Sequence, residues 1–157
     1  MPLVDQHIDA LDAMKKYPKE LHYKGNLELL KRPKIAIVGT RRPMAYTKQQ
    51  TTLLVQALVQ RGVVVVSGGA MGVDAIAHST AGASNTIAVY ASGIDIRYPA
   101  VNRELLGAIE QEGLSLSQFA PNFKATSWSF VVRNELVVAL GDILIVAQAD
   151  LNSGSLR

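Results

Sequence analysis

Between Leu29 and Val73 the chain carries seven basic side chains (Lys31, Arg32, Lys34, Arg41, Arg42, Lys48 and Arg61) and no aspartate or glutamate. The same stretch reads as a strand, a glycine turn, a helix, a strand and a second glycine turn. Bare backbone NH groups at such turns, beside cations with no carboxylate to neutralise them, suit the holding of phosphate. The second turn, Ser67-Gly68-Gly69-Ala70-Met71-Gly72, opens a helix near Asp74. Its glycines let the backbone approach an anion closely at the positive end of the helix dipole, which makes Ser67, Gly68, Gly69 and Gly72 candidate phosphate contacts. A tight strand-to-helix turn with no ligand is the competing reading. The glycine spacing is wrong for a dinucleotide fingerprint, and no Walker sequence is present. Arg41 and Arg42 follow the first strand with no acid nearby in sequence, so at least one is expected on phosphate rather than merely solvated.

A second group combines cation and ring. Residues 122–130 hold Lys124, Trp128 and Phe130, and the helix beyond sets Phe130 and Arg133 three residues apart on one face. A ring for base stacking beside a cation is how single-stranded nucleic acid is bound; core packing is the alternative for each ring. Hydrolytic chemistry finds little support. Asp74 and His78 stand four apart on one helix, yet an acid in a first turn is favoured by the dipole alone. Only His7, His22 and His78 are available, and neither a His-Glu-x-x-His nor a Gly-x-Ser-x-Gly sequence occurs. The absence of cysteine excludes disulfides, thiolate nucleophiles and Cys-type zinc or iron–sulfur sites. No metal site and no cofactor are expected.

These residues must be positioned by an α/β framework. Apolar runs at 35–38, 63–66, 86–90, 114–116 and 143–146 alternate with helical patterns at about 47–61, 74–81, 102–112 and 129–140, the mark of βαβ units around a parallel sheet. Leu54 and Leu58 are the expected inward face of the first helix, and Val132, Leu136 and Leu140 that of the last. Ligands of such sheets sit beyond the carboxyl ends of the strands, where the Arg41-Arg42 turn, the glycine loop, the Ser92–Tyr98 loop and Ser153-Gly154-Ser155 all fall. Residues 1–33, charge-rich with one short helical pattern, read as an N-terminal appendage to a domain spanning 34–157. Ser-Gly-Ser after the fifth strand resembles the start of a turn into a helix, so the natural protein is expected to continue.

At 157 residues, 48% hydrophobic and 18% charged, one domain with a sizeable core is expected, and no apolar run reaches the roughly 20 residues of a membrane span. The net charge of +3 says little about partners; the uneven placement of the cations says more. With no cysteine and no charged segment leading into an apolar one at the start, a cytoplasmic location is expected.

The motifs resemble the DNA processing protein A family (DprA, also called Smf). Leu21-His22-Tyr23-Lys24-Gly25-Asn26 is similar to its lead-in, and Ile35-Ala36-Ile37-Val38-Gly39-Thr40-Arg41 to its first strand and arginine turn. Residues Ser67 to His78 resemble its most characteristic stretch, and Gly93-Ile94-Asp95 with Tyr98-Pro99 and Asn102, Phe130 with Arg133-Asn134, and Ser153-Gly154-Ser155 follow in order. The resemblance implies an extended Rossmann-like, three-layer domain with helices on both faces of a mostly parallel sheet, the core strands in the order 3-2-1-4-5 by analogy. It implies sequence-independent binding of single-stranded DNA, loading of the RecA recombinase in natural transformation, a homodimer when full length, and no enzymatic activity. Arg41 or Arg42 and the Gly68–Gly72 loop become phosphate contacts, Phe130 a stacking or pocket residue, and Arg133 and Asn134 pocket or support residues. Two other readings use the same turns. Phosphoribohydrolases that resemble this fold carry Pro-Gly-Gly-x-Gly-Thr with a catalytic glutamate soon after, whereas here no glutamate follows the loop until Glu104. A sensor of small nucleotides is the third.

Overall fold

The computed structural model describes residues 2–149. Strand β2 (Lys34–Gly39) is apolar from Ile35 onward because each of its faces meets a core. Ala36 and Val38 enter one hydrophobic cluster and Ile37 another on the opposite side, the alternation that a pleated strand imposes. β3 (Val64–Ser67) repeats the division, with Val64 and Val66 one way and Val65 the other. In β4 (Thr86–Tyr90) Ile87 and Val89 join the first cluster, while Ala88 and Tyr90 enter a third.

α1 (Ala45–Gln60), α2 (Val73–Ala81) and α3 (Arg103–Glu112) cover one face, through Val55, Val73, Ala77, Leu106 and Ile109. α4 (Ser127–Leu140) covers the other with Leu136, Val137 and Leu140. The buried line of α1 is Thr47, Thr51 and Val55, not the expected Leu54 and Leu58, which are only partly covered. α1 turns its small hydroxyl residues inward, and Thr47 donates to Gln148 Oε1 at 2.6 Å.

With β1 (His22–Gly25), β5 (Leu114–Ser117) and β6 (Ile143–Ala147), the sheet has six strands in the order β1-β5-β4-β3-β2-β6. All neighbours are parallel except β1, which runs antiparallel to β5 with His22 opposite Ser117. Counting core strands from β2, the order is 4-3-2-1-5, which corrects the expected 3-2-1-4-5: the fourth strand lies beyond the third, not beside the first. Three successive crossovers step in the same direction, and their shared hand places α1, α2 and α3 on one face. A single reversal then brings β6 back beside β2 and puts α4 on the other. No local pattern encodes that choice.

Residues ahead of β2 are built into this body. β1 extends the sheet, and Ile8, Leu11, Leu21 and Leu29 join the cluster under α4, with Leu11 wholly buried. Ile8 and Leu11 belong to the one short helical pattern of this segment, whereas Leu21 and Leu29 follow no period. Among the described residues no helix is long and apolar enough to cross a membrane. The strand order reverses between β2 and β6, so the crevice at their carboxyl ends is where a ligand of such a sheet belongs.

Candidate nucleic-acid interface

At that crevice the turn after β2 is tied to the end of β6. Thr40 N donates to Gln148 O at 2.8 Å, and Met44 N donates to Gln148 Oε1 at 3.0 Å. Gln148 thereby fixes the arginine turn from the end of the neighbouring strand, a role that nothing in the local sequence signals. The glycine loop packs directly against the same turn. Gly72 has φ +81°, and a Cβ there would stand 2.4 Å from Thr40 O, so only glycine lets the two backbones meet.

The loop is wired from within. Gly68 N and Ala70 N donate to Asp74 Oδ2 at 3.0 and 3.3 Å, and Gly69 N donates to His78 Nε2 at 3.1 Å. Thr86 Oγ1 donates to Val65 O, so it accepts from His78 Nδ1 at 2.7 Å, which leaves His78 Nε2 as a pure acceptor. Burial, with Arg133 adding to it, drives the His78 pKa down to about 3, so the ring is neutral. Ser67 Oγ, wholly buried, donates to Ile37 O at 2.6 Å. Ser67, Gly68 and Gly69, expected as phosphate contacts, thus have their hydroxyl and amide groups engaged within the fold. A buried carboxylate and a buried imidazole next to a short loop must draw on the nearest NH groups, and those are the loop's own.

Arg133, on α4, is 5% exposed. Its Nη1 donates to Gly68 O at 2.6 Å and to Val89 O at 3.2 Å, and its Nε donates to Asn134 Oδ1 at 3.2 Å. A Cβ on Gly68 would lie 2.6 Å from the Arg133 guanidinium carbon, so a larger residue there would displace the guanidinium from its place. Burial raises the pKa of Asp74 and lowers that of Arg133, while the attraction between the two works against both shifts. Arg41 also depresses Arg133, an electrostatic sign that two cations share this corner.

What the loop presents outward is a rim. Arg41, Gly68, Ala70, Met71, Tyr98, Pro99 and Phe130 line a pocket of about 70 Å³. The Phe130 ring has the Arg41 guanidinium carbon 5.2 Å from its centre and that of Arg133 at 5.4 Å, and it meets Tyr98 at 5.9 Å with the planes tilted by 51°. Arg41 is exposed and has no ion pair among the described residues. One exposed cation, resting on an aromatic face and backed by a buried cation, is placed for an anion that brings a flat ring with it.

The structure gathers Arg41, Gly68, Phe130 and Arg133 at one place, with Asn134 behind Arg133. Gly72 is the point at which the loop packs against the turn. Arg42 is exposed beside the pocket without lining it, its backbone N donating to Thr40 Oγ1 at 3.2 Å. Lys124 is exposed on the loop of residues 120–126, away from the pocket lining. Ser153, Gly154 and Ser155 lie outside the described residues. Tyr98 and Gln148 were missed as site residues: the first had its signal in an aromatic within a site-type loop, the second had none.

The sequence profile of the family described as DNA recombination-mediator protein A matches residues 4–157. The chain belongs to that family. Among curated relatives of DNA recombination-mediator protein A, it is 39% identical over 141 residues to the DNA processing protein DprA of Streptococcus pneumoniae strain R6, covering 88% of this chain and 50% of the relative. It is 38% identical over 142 residues to DprA of Bacillus subtilis strain 168, covering 88% and 48%. Two solved members share the fold. DNA processing protein A of Helicobacter pylori, solved for its single-stranded DNA binding mode, superposes with a TM-score of 0.95 at 43% identity, over 99% of this chain and 72% of that one. DprA of Streptococcus pneumoniae superposes with a TM-score of 0.90 at 37% identity, over 98% and 54%. The chain thus spans about half the length of the curated relatives it matches.

Proposed function

We propose that this chain binds single-stranded DNA without reading its sequence, Arg41 taking a backbone phosphate and Phe130 and Tyr98 offering ring faces to the bases. The observation that carries the reading is the exposed Arg41 guanidinium, in no ion pair among the described residues, lying over Phe130 at the mouth of the pocket. The single-stranded DNA binding of the Helicobacter pylori relative supports it. Arg133 and Asn134 hold the floor of the site, while Arg42 and Lys124 extend the positive field around it. The role is one of binding and not of catalysis, since the carboxylate of Asp74 and the imidazole of His78 are both spent on loop amides. In the cell we assign it to the cytoplasm, to recombination of DNA taken up in natural transformation, and to handing the strand to the RecA recombinase, with the full-length protein acting as a homodimer.

Anisotropy of labelled oligo-dT, measured against salt, tests the binding. Arg41→Ala is expected to weaken affinity about tenfold, as loss of one charged hydrogen bond implies, and to lower the salt slope by about 0.7, the value for one phosphate of a single strand. Unchanged affinity and slope would remove Arg41 from the interface.

A further inference from the structure

Two residues before Phe130, on the same helix, Trp128 leaves in another direction. Positions two apart on an α-helix lie about 200° apart around its axis, so the two rings stand on opposite sides of the first turn of α4. Trp128 is 63% exposed, meets Phe119 edge-on at 5.9 Å, and lines a groove of about 490 Å³ between α4 and the N-terminal segment. The facing wall carries Lys15, Lys16, Tyr17 and Lys19. All three lysines are exposed, and none of their ammonium groups is in an ion pair among the described residues. Two carboxylates share the lining, and both have other partners. Glu20 lies 3.3 Å from His22 Nε2, and Glu135 accepts from the backbone N of Lys15 at 3.3 Å. The groove therefore presents an open indole face and an excess of positive charge, on the opposite side of the first turn of α4 from the Phe130 pocket.

We propose that this groove is a second stacking subsite for the same DNA strand, which crosses the first turn of α4 from the Phe130 pocket, lays a base on Trp128 and brings phosphates to Lys15, Lys16 and Lys19. The assignment rests on the single-strand reading given above. Charge complementarity selects a polyanion, the exposed ring selects one that carries flat bases, and continuity along α4 selects the strand already held at Phe130.

Trp128 is the only tryptophan of the chain, so its emission reports on this groove alone. The 157-residue chain is titrated with unlabelled oligo-dT while anisotropy of a labelled oligo-dT follows binding in parallel. Oligo-dT of about ten nucleotides, within the site sizes of single-strand binders, is expected to quench Trp128, and a trinucleotide to bind without quenching. Trp128→Ala is expected to weaken the longer oligonucleotide about tenfold and leave the trinucleotide unaltered, in line with the loss of one stacked base. Joint replacement of Lys15, Lys16 and Lys19 by alanine is expected to remove most of the quenching. An anisotropy rise with unaltered Trp128 emission would overturn the groove and leave the Phe130 pocket standing, whereas no anisotropy rise at all would overturn the single-strand reading and the groove with it. Equal quenching by polyglutamate would reassign the groove to an acidic protein partner and overturn the proposal.

Discussion

Arg133→Met should expose how the glycine loop is held together. The side chain is 5% exposed, donates to the carbonyls of Gly68 and Val89, and offsets the buried carboxylate of Asp74. Methionine fills much of the same volume but leaves that carboxylate with two amides and no counter-charge. Leaving a buried carbonyl or carboxylate without its partner costs about 1–3 kcal/mol for each group, a large part of the 5–15 kcal/mol by which folded domains are usually stable. The loss should depend on pH. Burial already lifts the carboxyl of Asp74 above its ordinary value of 3.8, and Arg133 is the strongest restraint on that rise. Without Arg133 the folded pKa climbs further, so the native state takes up a proton that the unfolded state has released. Such a group stabilises below the unfolded value, and its contribution is lost as pH rises through the folded value, at about 1.4 kcal/mol per unit. Relief of His78, which Arg133 also holds down, acts in the same direction. Urea unfolding followed by circular dichroism should therefore show a gap between parent and Arg133→Met that narrows from pH 7 to pH 5. Asp74→Asn in the Arg133→Met background should restore part of the loss at pH 7. A gap of equal size at both pH values, with purely additive effects of the two substitutions, would mean that Arg133 acts through packing and its carbonyl bonds alone.

Gly72→Ala combines a φ of +81° with a Cβ 2.4 Å from Thr40 O, so it should cost about 2 kcal/mol or more and lower Tm by at least 4 °C, read by differential scanning calorimetry. It should also weaken oligo-dT binding, because the Arg41 turn must move. Glu110 accepts from Arg97 at 3.0 and 3.2 Å and from the Tyr90 hydroxyl. Burial alone would raise its pKa, yet Arg97, Tyr90 and Lys24 hold it below the ordinary value of 4.5. Because the side chain of Arg97 is 40% exposed and screened by water, Glu110→Gln should cost only about 1–2 kcal/mol at pH 7. A carboxyl depressed in the fold stabilises above the unfolded value and loses its contribution as pH falls through the folded one. Parent and Glu110→Gln unfolding curves should accordingly converge below about pH 4; a constant gap down to pH 3 would exclude the ionic contribution.

Much of the framework was open to reading from the chain, since the continuous apolar runs of β2 and β3 and the helical period of α4 are local signals, and parallel strands covered on both faces must be apolar throughout. The cationic stretch around Arg41 was equally visible, because charge is a property of residues and not of their arrangement. The strand order was not, as the turn that sends α4 back across the sheet to set β6 beside β2 depends on which faces remain to be covered. The same limit hid the inward wiring of the glycine loop: that Gly68 and Gly69 spend their amides on Asp74 and His78 depends on side chains six and nine residues away folding back beneath the turn. Gln148 and the N-terminal residues Leu21 and Leu29 gave no warning, their partners being distant in sequence. Residue type and local periodicity determined the elements and the sign of the site's charge; packing in three dimensions decided which groups face a ligand and which are consumed in holding the site, because a hydrogen bond or a buried charge takes whichever partner the fold brings near.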